Sequence, residues 1–494
     1  MKSGSLNDEN KSVKRALSEP GYLANLFVFY FIAQGGILLI PNAIFWDDWS
    51  LYGVSSQAIY KTFDMAGSVL NIAGHVHVAM LAIGPWLYRV LTFVLMFASG
   101  LLLWQILKRQ PWISIDVRYA IVLLFLVLPL NAARAALIAF PGRTGYFLFF
   151  LAWYFLGKNR ILALGLFFLS FNINSMLVFY ALPMAEWYFR DGNRLKLITA
   201  WRWTIRRIDF VILPFVFWFI KTAYFKPHGD YAGYNEDFTF KPLITGPLYM
   251  GYDLAGLEIR AGLLIILLVF VYSFIKKSSL DDRNYQIRIL VVGVAAFVAA
   301  VFPYLIVGHV PIFDGWVSRH QLLMPLGTAL LLVWLLMRIP FEIRRGALIL
   351  LVASSLALNL QIYFAFYQDW GKQQELVSLF SQNEQIRAAR LVVFDDRTEN
   401  ALKRRYRFYE WNGLMKLAYG DETRFGLARQ DLDLYLREGS ERYFTDSYSA
   451  KDHVRESNPK EAIVKIERTS SPPGLYHRFM WIIGREPQYS LSVN

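Results

Sequence analysis

Asp47 and Asp48 stand side by side between Trp46 and Trp49, just after the first membrane-length apolar run. Tryptophan suits the headgroup level of a bilayer, where its ring is half wet and half apolar. Two neighbouring carboxylates repel, so one of them is pushed toward neutrality and can take a proton from a hydroxyl. The same pair could instead hold a divalent cation such as Mg or Mn, and an aspartate also suits the N-cap of a helix. His75 and His77 follow on the same loop, two residues apart. That spacing shares one face of a strand but falls on roughly opposite sides of a helix, and it is not the i, i+4 spacing of helical metal ligands. The simpler role for them is interfacial. Arg319 and His320 open a later apolar run, where free N–H groups and a fixed guanidinium together suit a phosphate. A lipid-headgroup anchor would use the same residues. Lys221 ends another apolar run. The loop after it carries His228, Asp230, Glu236, Asp237 and several tyrosines, which are equipment for sugar hydroxyls. Arg134, after Pro129-Leu130-Asn131, is a charge at membrane depth, a position that is rare and usually functional unless the side chain snorkels.

The elements that must position these groups are mostly membrane spans. Apolar runs lie near 22–40, 84–107, 117–139, 143–157, 161–185, 208–222, 259–275, 288–307, 320–337 and 346–365. Basic loops at 108–118, 158–160, 190–207, 276–288 and 338–345 belong in the cytoplasm by the positive-inside rule. Residues 158–160 and 190–207 share a side only if 161–185 turns back. Ser170-Phe171-Asn172-Ile173-Asn174-Ser175 supplies the turn residues, which predicts two short helices, 161–171 and 174–187. This gives an α-helical polytopic membrane protein of about eleven crossings, with residues 1–21 as a cytoplasmic tail and 22–366 as the membrane domain. Outer loops are then 41–84, 223–258 and 308–319. The aromatic-rich loop 41–84 reads as amphipathic helices on the membrane surface.

Residues 367–494 are charged and carry two strand-like runs, 391–394 and 462–466, with a helical-looking stretch at 397–409 between them. They read as a small C-terminal α/β domain outside the membrane.

Composition agrees with a membrane protein. The 494 residues are 55% hydrophobic and only 18% charged, and the net charge of +13 sits in short loops between apolar runs rather than on a face with exposed aromatics. That argues for topology and anionic lipid, and against nucleic acid. The absence of cysteine excludes disulfides, a thiol nucleophile and Cys-ligated metal. The first apolar run lacks an Ala-x-Ala-type cleavage site and reads as a retained anchor. No repeat of 20–50 residues is evident, which weighs against solenoids and inverted-repeat transporters.

The Asp47-Asp48 pair, the helical loop after it, Ser318-Arg319-His320 and the terminal domain together resemble the GT-C superfamily of multi-spanning glycosyltransferases, of the bacterial envelope-polysaccharide type. The likeness covers the layout of the whole chain but few residues by motif. It implies a bacterial inner-membrane enzyme that transfers a sugar, with inversion, from a polyprenyl-phosphate-linked donor to an envelope glycan or lipid acceptor on the outer face. Asp47 or Asp48 would be the base or would hold a metal. Arg319, helped by His320 or Lys221, would meet the donor phosphate. His75, His77, Asp230, Glu236 and Asp237 would face sugar or acceptor. Two other readings compete: a ligase or polymerase moving a whole glycan from a pyrophosphate carrier, which needs no acid pair, and a transporter, which needs ionisable groups within several spans.

Overall fold

The computed structural model describes residues 19–192, 196–233, 238–256, 283–313, 315–438, 453, 460–469, 480 and 488–493. The chain is mostly helical, with one small sheet near its end. Four helical segments among the described residues are long and apolar enough to cross a membrane: Glu19–Leu39, Pro85–Lys108, Tyr285–Leu305 and Ile343–Ser381. A fifth arises if Gly315–Gln321 and Met324–Arg338, bent by 73°, count as one broken span. Only 28–44% of the best window in the four long segments is buried. Large apolar side chains such as Phe27, Phe31, Val94 and Val298 point outward instead, as a lipid-facing surface requires. Shorter apolar helices, Ile115–Val127, Phe140–Phe155 and Arg160–Ser170, fill the middle. The expected run at 259–275 lies outside the described residues.

The expected break in 161–185 is present. The helix Arg160–Ser170 stops, and the chain resumes in Ser175–Phe179 and Ala181–Arg190. Asn172 has a reason to leave the helix: its Oδ1 accepts the backbone N–H of Val69 at 3.1 Å. The chain then returns to where it began, because the Arg190 guanidinium donates to the Leu156 carbonyl at 3.1 Å. At that same end Arg109 donates to the Trp153 and Tyr154 carbonyls and Gln110 to Glu186. Arg160 pairs with Asp209 at 2.6 Å nearby. The basic loops around 109, 160 and 190 therefore gather at one end of the bundle.

The opposite end is built from short turns. The loop 41–84 folds as the 3₁₀ turn Trp46–Ser50, the helix Ser56–Met65, the turn Val69–Asn71 and the helix Ile72–Leu81. Two more turns meet it, Ala132–Ala135 and Gly315–Gln321.

The C-terminal sheet comprises β1 (Leu391–Asp396), β2 (Phe425–Ala428), β3 (Glu461–Arg468) and β4 (Tyr489–Val493), in the order β2-β1-β3-β4. Only β4 is antiparallel to its neighbour. The strands expected at 391–394 and 462–466 are these β1 and β3. The stretch 397–409 departs from expectation: it is irregular to Arg407, and the helix is Phe408–Tyr419. Side chains pin it open. The Asp396 carboxylate accepts from the backbone N–H and the hydroxyl of Thr398, and Lys372 Nζ reaches Asp396, Thr398 and Asn400. Such local side-chain bonds compete with helix formation.

No break separates bundle from sheet at 366/367, because the helix Phe341–Ser381 runs through that point for 41 residues. A shared apolar core then joins the two. Trp49 and Leu51 of the loop 41–84 are buried with Leu376, Phe380, Phe394 and Trp411. The ring of Trp49 lies directly on Gly413, where any Cβ would collide with it. Gly413→Ala should therefore cost about 1–3 kcal/mol, as overpacking does. It should also speed proteolysis of the C-terminal region; unchanged thermal unfolding and digestion would contradict this packing.

Candidate functional site

The two aspartates part company within a single turn. In a 3₁₀ turn successive side chains point about 120° apart, and Trp46–Ser50 sends Asp48 inward and Asp47 outward. Asp48 is fully buried. Its Oδ2 accepts the N–H of Phe45 at 3.2 Å and its Oδ1 the N–H of Ile138 at 2.8 Å. Burial pushes its pKa up to about 6, against the Arg89 charge and those backbone bonds. Asp48 thus ties the loop 41–84 to the segment 132–139.

Asp47 is half-buried and accepts a hydrogen bond from the Tyr409 hydroxyl at 3.1 Å. Burial pushes its carboxyl above the usual carboxylate range, although Tyr409, Arg319 and Arg407 pull it down and Glu410 adds to the rise. Asp47 and Arg319 therefore lie within one electrostatic neighbourhood, although 272 positions separate them in sequence (319 minus 47). Aromatic contacts hold that neighbourhood together. Trp46 packs on Trp316 with centroids 5.5 Å apart, the Arg319 guanidinium lies 4.4 Å from the Trp316 centroid, and that of Arg404 lies 5.4 Å from Trp46. Arg404 in turn pairs with Glu410 at 2.5 Å and approaches Asp369 at 3.7 Å.

Arg319 sits in the 3₁₀ turn Gly315–Gln321, not in the first turn of the helix Met324–Arg338. Pro325 marks where that helix starts, and the 73° bend separates it from the turn. The expected helix-terminus contribution at Arg319 is thus replaced by a guanidinium over the Trp316 ring, whose Nη1 also donates to the Trp316 carbonyl at 3.2 Å. His320 is buried and stacks on His309 at 4.8 Å, with its Nδ1 unbonded. Lys221 is not placed beside Asp47. It donates to Asn174 Oδ1 at 2.9 Å, and the neighbouring Ser175 hydroxyl meets Tyr304, which packs on His320.

His77 is buried, with Nδ1 2.9 Å from the Tyr88 hydroxyl, and burial pushes its pKa down to about 3. It is a neutral packing histidine between Phe63 and Tyr88 rather than an exposed sugar contact. His75 is exposed and packs on Tyr60, so the pair diverges as helical spacing dictates. Asp230 is exposed on the turn Gly229–Tyr231, which docks on the loop 41–84 through the His228 N–H, donated to the Met65 carbonyl at 2.9 Å. Glu236 and Asp237 lie outside the described residues.

A divalent cation does not fit the acid pair. Both Asp48 oxygens are engaged by backbone N–H groups, and the two carboxylates face different surroundings. No group of three or more His, Asp or Glu side chains that could hold a metal occurs among the described residues.

Four further residues near the pair carry no clear signal in the sequence. Tyr409 and Glu410 come from the far end of the chain, and nothing local marks them. Arg89 and Arg143 were legible in principle, since each is a guanidinium at the edge of an apolar run.

Comparison with protein-family models, curated proteins and solved structures returns no match to this chain. What the structure defines is a class: a largely helical protein with several membrane-length apolar helices, in which the turns at one end of the bundle and the C-terminal α/β region bring Asp47, Arg319 and Tyr409 together.

Proposed function

We propose that this protein is a membrane glycosyltransferase with about eleven crossings, its basic loops cytoplasmic and the Asp47 site on the outer face of a bacterial inner membrane. The donor is a polyprenyl-phosphate-linked sugar, and the acceptor is an envelope glycan or lipid hydroxyl. The observation that carries this reading is that Asp47, unlike the fully buried Asp48, is partly exposed and lies in the field of Arg319, while burial raises its pKa. A carboxylate made more basic by burial suits the removal of a hydroxyl proton. The freed oxygen attacks the anomeric carbon from the side opposite the phosphate, the bond to the phosphate oxygen breaks, and the configuration inverts. Negative charge then grows on the leaving phosphate, where a pre-positioned guanidinium such as Arg319 lowers the barrier. Tyr409 is a positioning residue: its hydroxyl orients Asp47 and moderates its basicity.

The test is turnover of labelled polyprenyl-phosphate hexoses and pentoses by membranes containing the full chain. Consumption of a pyrophosphate-linked glycan, with no turnover of any monophosphate-linked sugar, would overturn the reading in favour of a ligase or polymerase. The Asp47 environment also fixes a pH effect. Activity needs the ionised base, so its acid limb should lie above the ordinary aspartate range near 3.9. Because the Tyr409 bond and the Arg319 charge both pull Asp47 down, Tyr409→Phe and Arg319→Gln should each move that limb to higher pH. A limb left in place in both variants would separate Asp47 from the titration.

A further inference from the structure

The helix Leu197–Arg206 leaves most of its surface open, and none of its residues is buried. One side is keyed to the body. The Trp203 ring packs on Trp187 and Tyr188, with centroids 5.7 and 5.5 Å away, and its Nε1 donates to Asp191 at 3.0 Å. Side chains four positions apart line up along a helix. One such row is Leu197, Trp201 and Ile205, exposed by 90%, 62% and 54%. The row beside it is Ile198, Arg202 and Arg206, exposed as well. Among the described residues neither arginine has an ion-pair or hydrogen-bond partner. The carboxylates nearby in sequence are committed elsewhere, Asp191 to Trp203 and Asp209 to Arg160. Those bonds also place the helix at the basic end of the bundle, beside Arg160 and Arg190. Its 10 residues rise about 15 Å, half the thickness of a hydrocarbon core, so it does not cross a membrane. The helix that follows it, Ile208–Tyr224, continues the apolar surface with Ile208, Ile212, Phe215 and Phe219 exposed.

We propose that Leu197, Trp201, Ile205, Arg202 and Arg206 form a surface site for an anionic phospholipid, its acyl chain along the apolar row and its phosphate on the two arginines. An apolar row alone would suit a protein partner equally well. Here a charged row runs directly beside it, in the side-by-side order of tail and headgroup that a lipid presents. A tryptophan within the row suits the boundary between the two, and a basic face next to a Trp- and Leu-bearing face is the composition of a helix lying in the headgroup layer. Guanidinium matches phosphate through paired N–H donors. Two positive charges without a carboxylate of their own favour an anionic headgroup over a zwitterionic one, which brings its own cation. The apolar surface of Ile208–Tyr224 continues the lipid contact past the end of the site. This contact is independent of sugar transfer.

The chain has no cysteine, so Ile205→Cys supplies a single labelling point on an exposed side chain. The experiment attaches a fluorophore there, in the full-length protein in phosphatidylcholine nanodiscs, and titrates in nitroxide-tailed phosphatidylglycerol or nitroxide-tailed phosphatidylcholine. Both probes should quench. Phosphatidylglycerol should do so at a mole fraction lower by about tenfold, each arginine contributing a few-fold, as basic side chains do at an anionic surface. Arg202→Gln with Arg206→Gln should make the two probes equal. Lysine at both positions keeps the charge and loses the planar fork, so part of the preference should remain; this pair also serves if the glutamine pair fails to insert. High salt should erode the preference, because exposed charges are screened. A label quenched by neither probe would show that the face meets something other than lipid. Equal quenching by both probes in the arginine-bearing protein, or a preference that survives the double glutamine change, would remove the anionic site. Each of these results overturns the proposal.

Discussion

Replacing Asp47 by Asn should lower sugar transfer by roughly a hundred- to ten-thousand-fold, the usual share of a general base, in a protein that still folds and inserts. The substitution keeps the size of the side chain and leaves an amide oxygen to accept from the Tyr409 hydroxyl, as the Asp47 carboxylate does at 3.1 Å. It removes only the ability to bind a proton. Asp47 is half-buried, and of its bonds only the one from Tyr409 falls on the carboxylate, while its backbone oxygen accepts from Ser50 in either residue. Thermal unfolding should therefore match the wild type within about 1 kcal/mol, as for substitutions away from core features. Full transfer activity in Asp47→Asn would end the assignment of the base.

Replacing Asp48 by Ala should do the opposite and strike stability first. Two buried N–H groups, of Phe45 and Ile138, lose their acceptor, and the buried Arg89 loses its compensating charge. Unsatisfied buried donors and an uncompensated charge together cost roughly 3–5 kcal/mol. Hydrogen exchange at Phe45 and Ile138 should rise with the loss. Asp48→Asn keeps one acceptor oxygen and should cost less. It also removes a pH effect whose sign is fixed. The Asp48 pKa is raised from 3.8 to about 6 in the folded chain, so the folded state holds the proton more tightly than the unfolded one. The resulting stabilisation is complete below the unfolded value and is lost as pH rises through about 6. Wild-type stability should carry that decline between these two pH values, and Asp48→Asn should not. An Asp48→Ala protein as stable as the wild type would refute the structural role.

The sequence makes some of this arrangement plain. Trp46-Asp47-Asp48-Trp49 announces itself by composition, and Asn172 and Asn174 betray the broken helix because turn residues interrupt an apolar run. The division of labour between the two aspartates is not legible there. It depends on a 3₁₀ turn that points one carboxylate at backbone amides brought from residue 138 and the other at a tyrosine from residue 409. Long-range partners of that kind leave no local signature. The helix placed at 397–409 failed for a related reason: Lys372, on a distant helix, holds that segment as a loop. Arg134 stands out in the sequence as a charge at depth, yet Arg89 and Arg143 come near it only when three separate segments pack together.

The helix Phe341–Ser381 imposes a condition of phase. Its earlier part is keyed to the bundle, where Asn359 donates to the Val127 carbonyl at 2.7 Å and Tyr363 to Gln34 at 2.8 Å. Its later part is keyed to the sheet region, where Lys372 meets Asp396 at 2.6 Å and Glu375 accepts the N–H groups of Gln488 and Tyr489. Each residue of an α-helix turns its axis by about 100° and advances it about 1.5 Å. One residue inserted between Tyr363 and Asp369 would wind everything beyond it by that angle, and Tyr409 would no longer face Asp47. Two folded halves would then share an axle but not a gear setting.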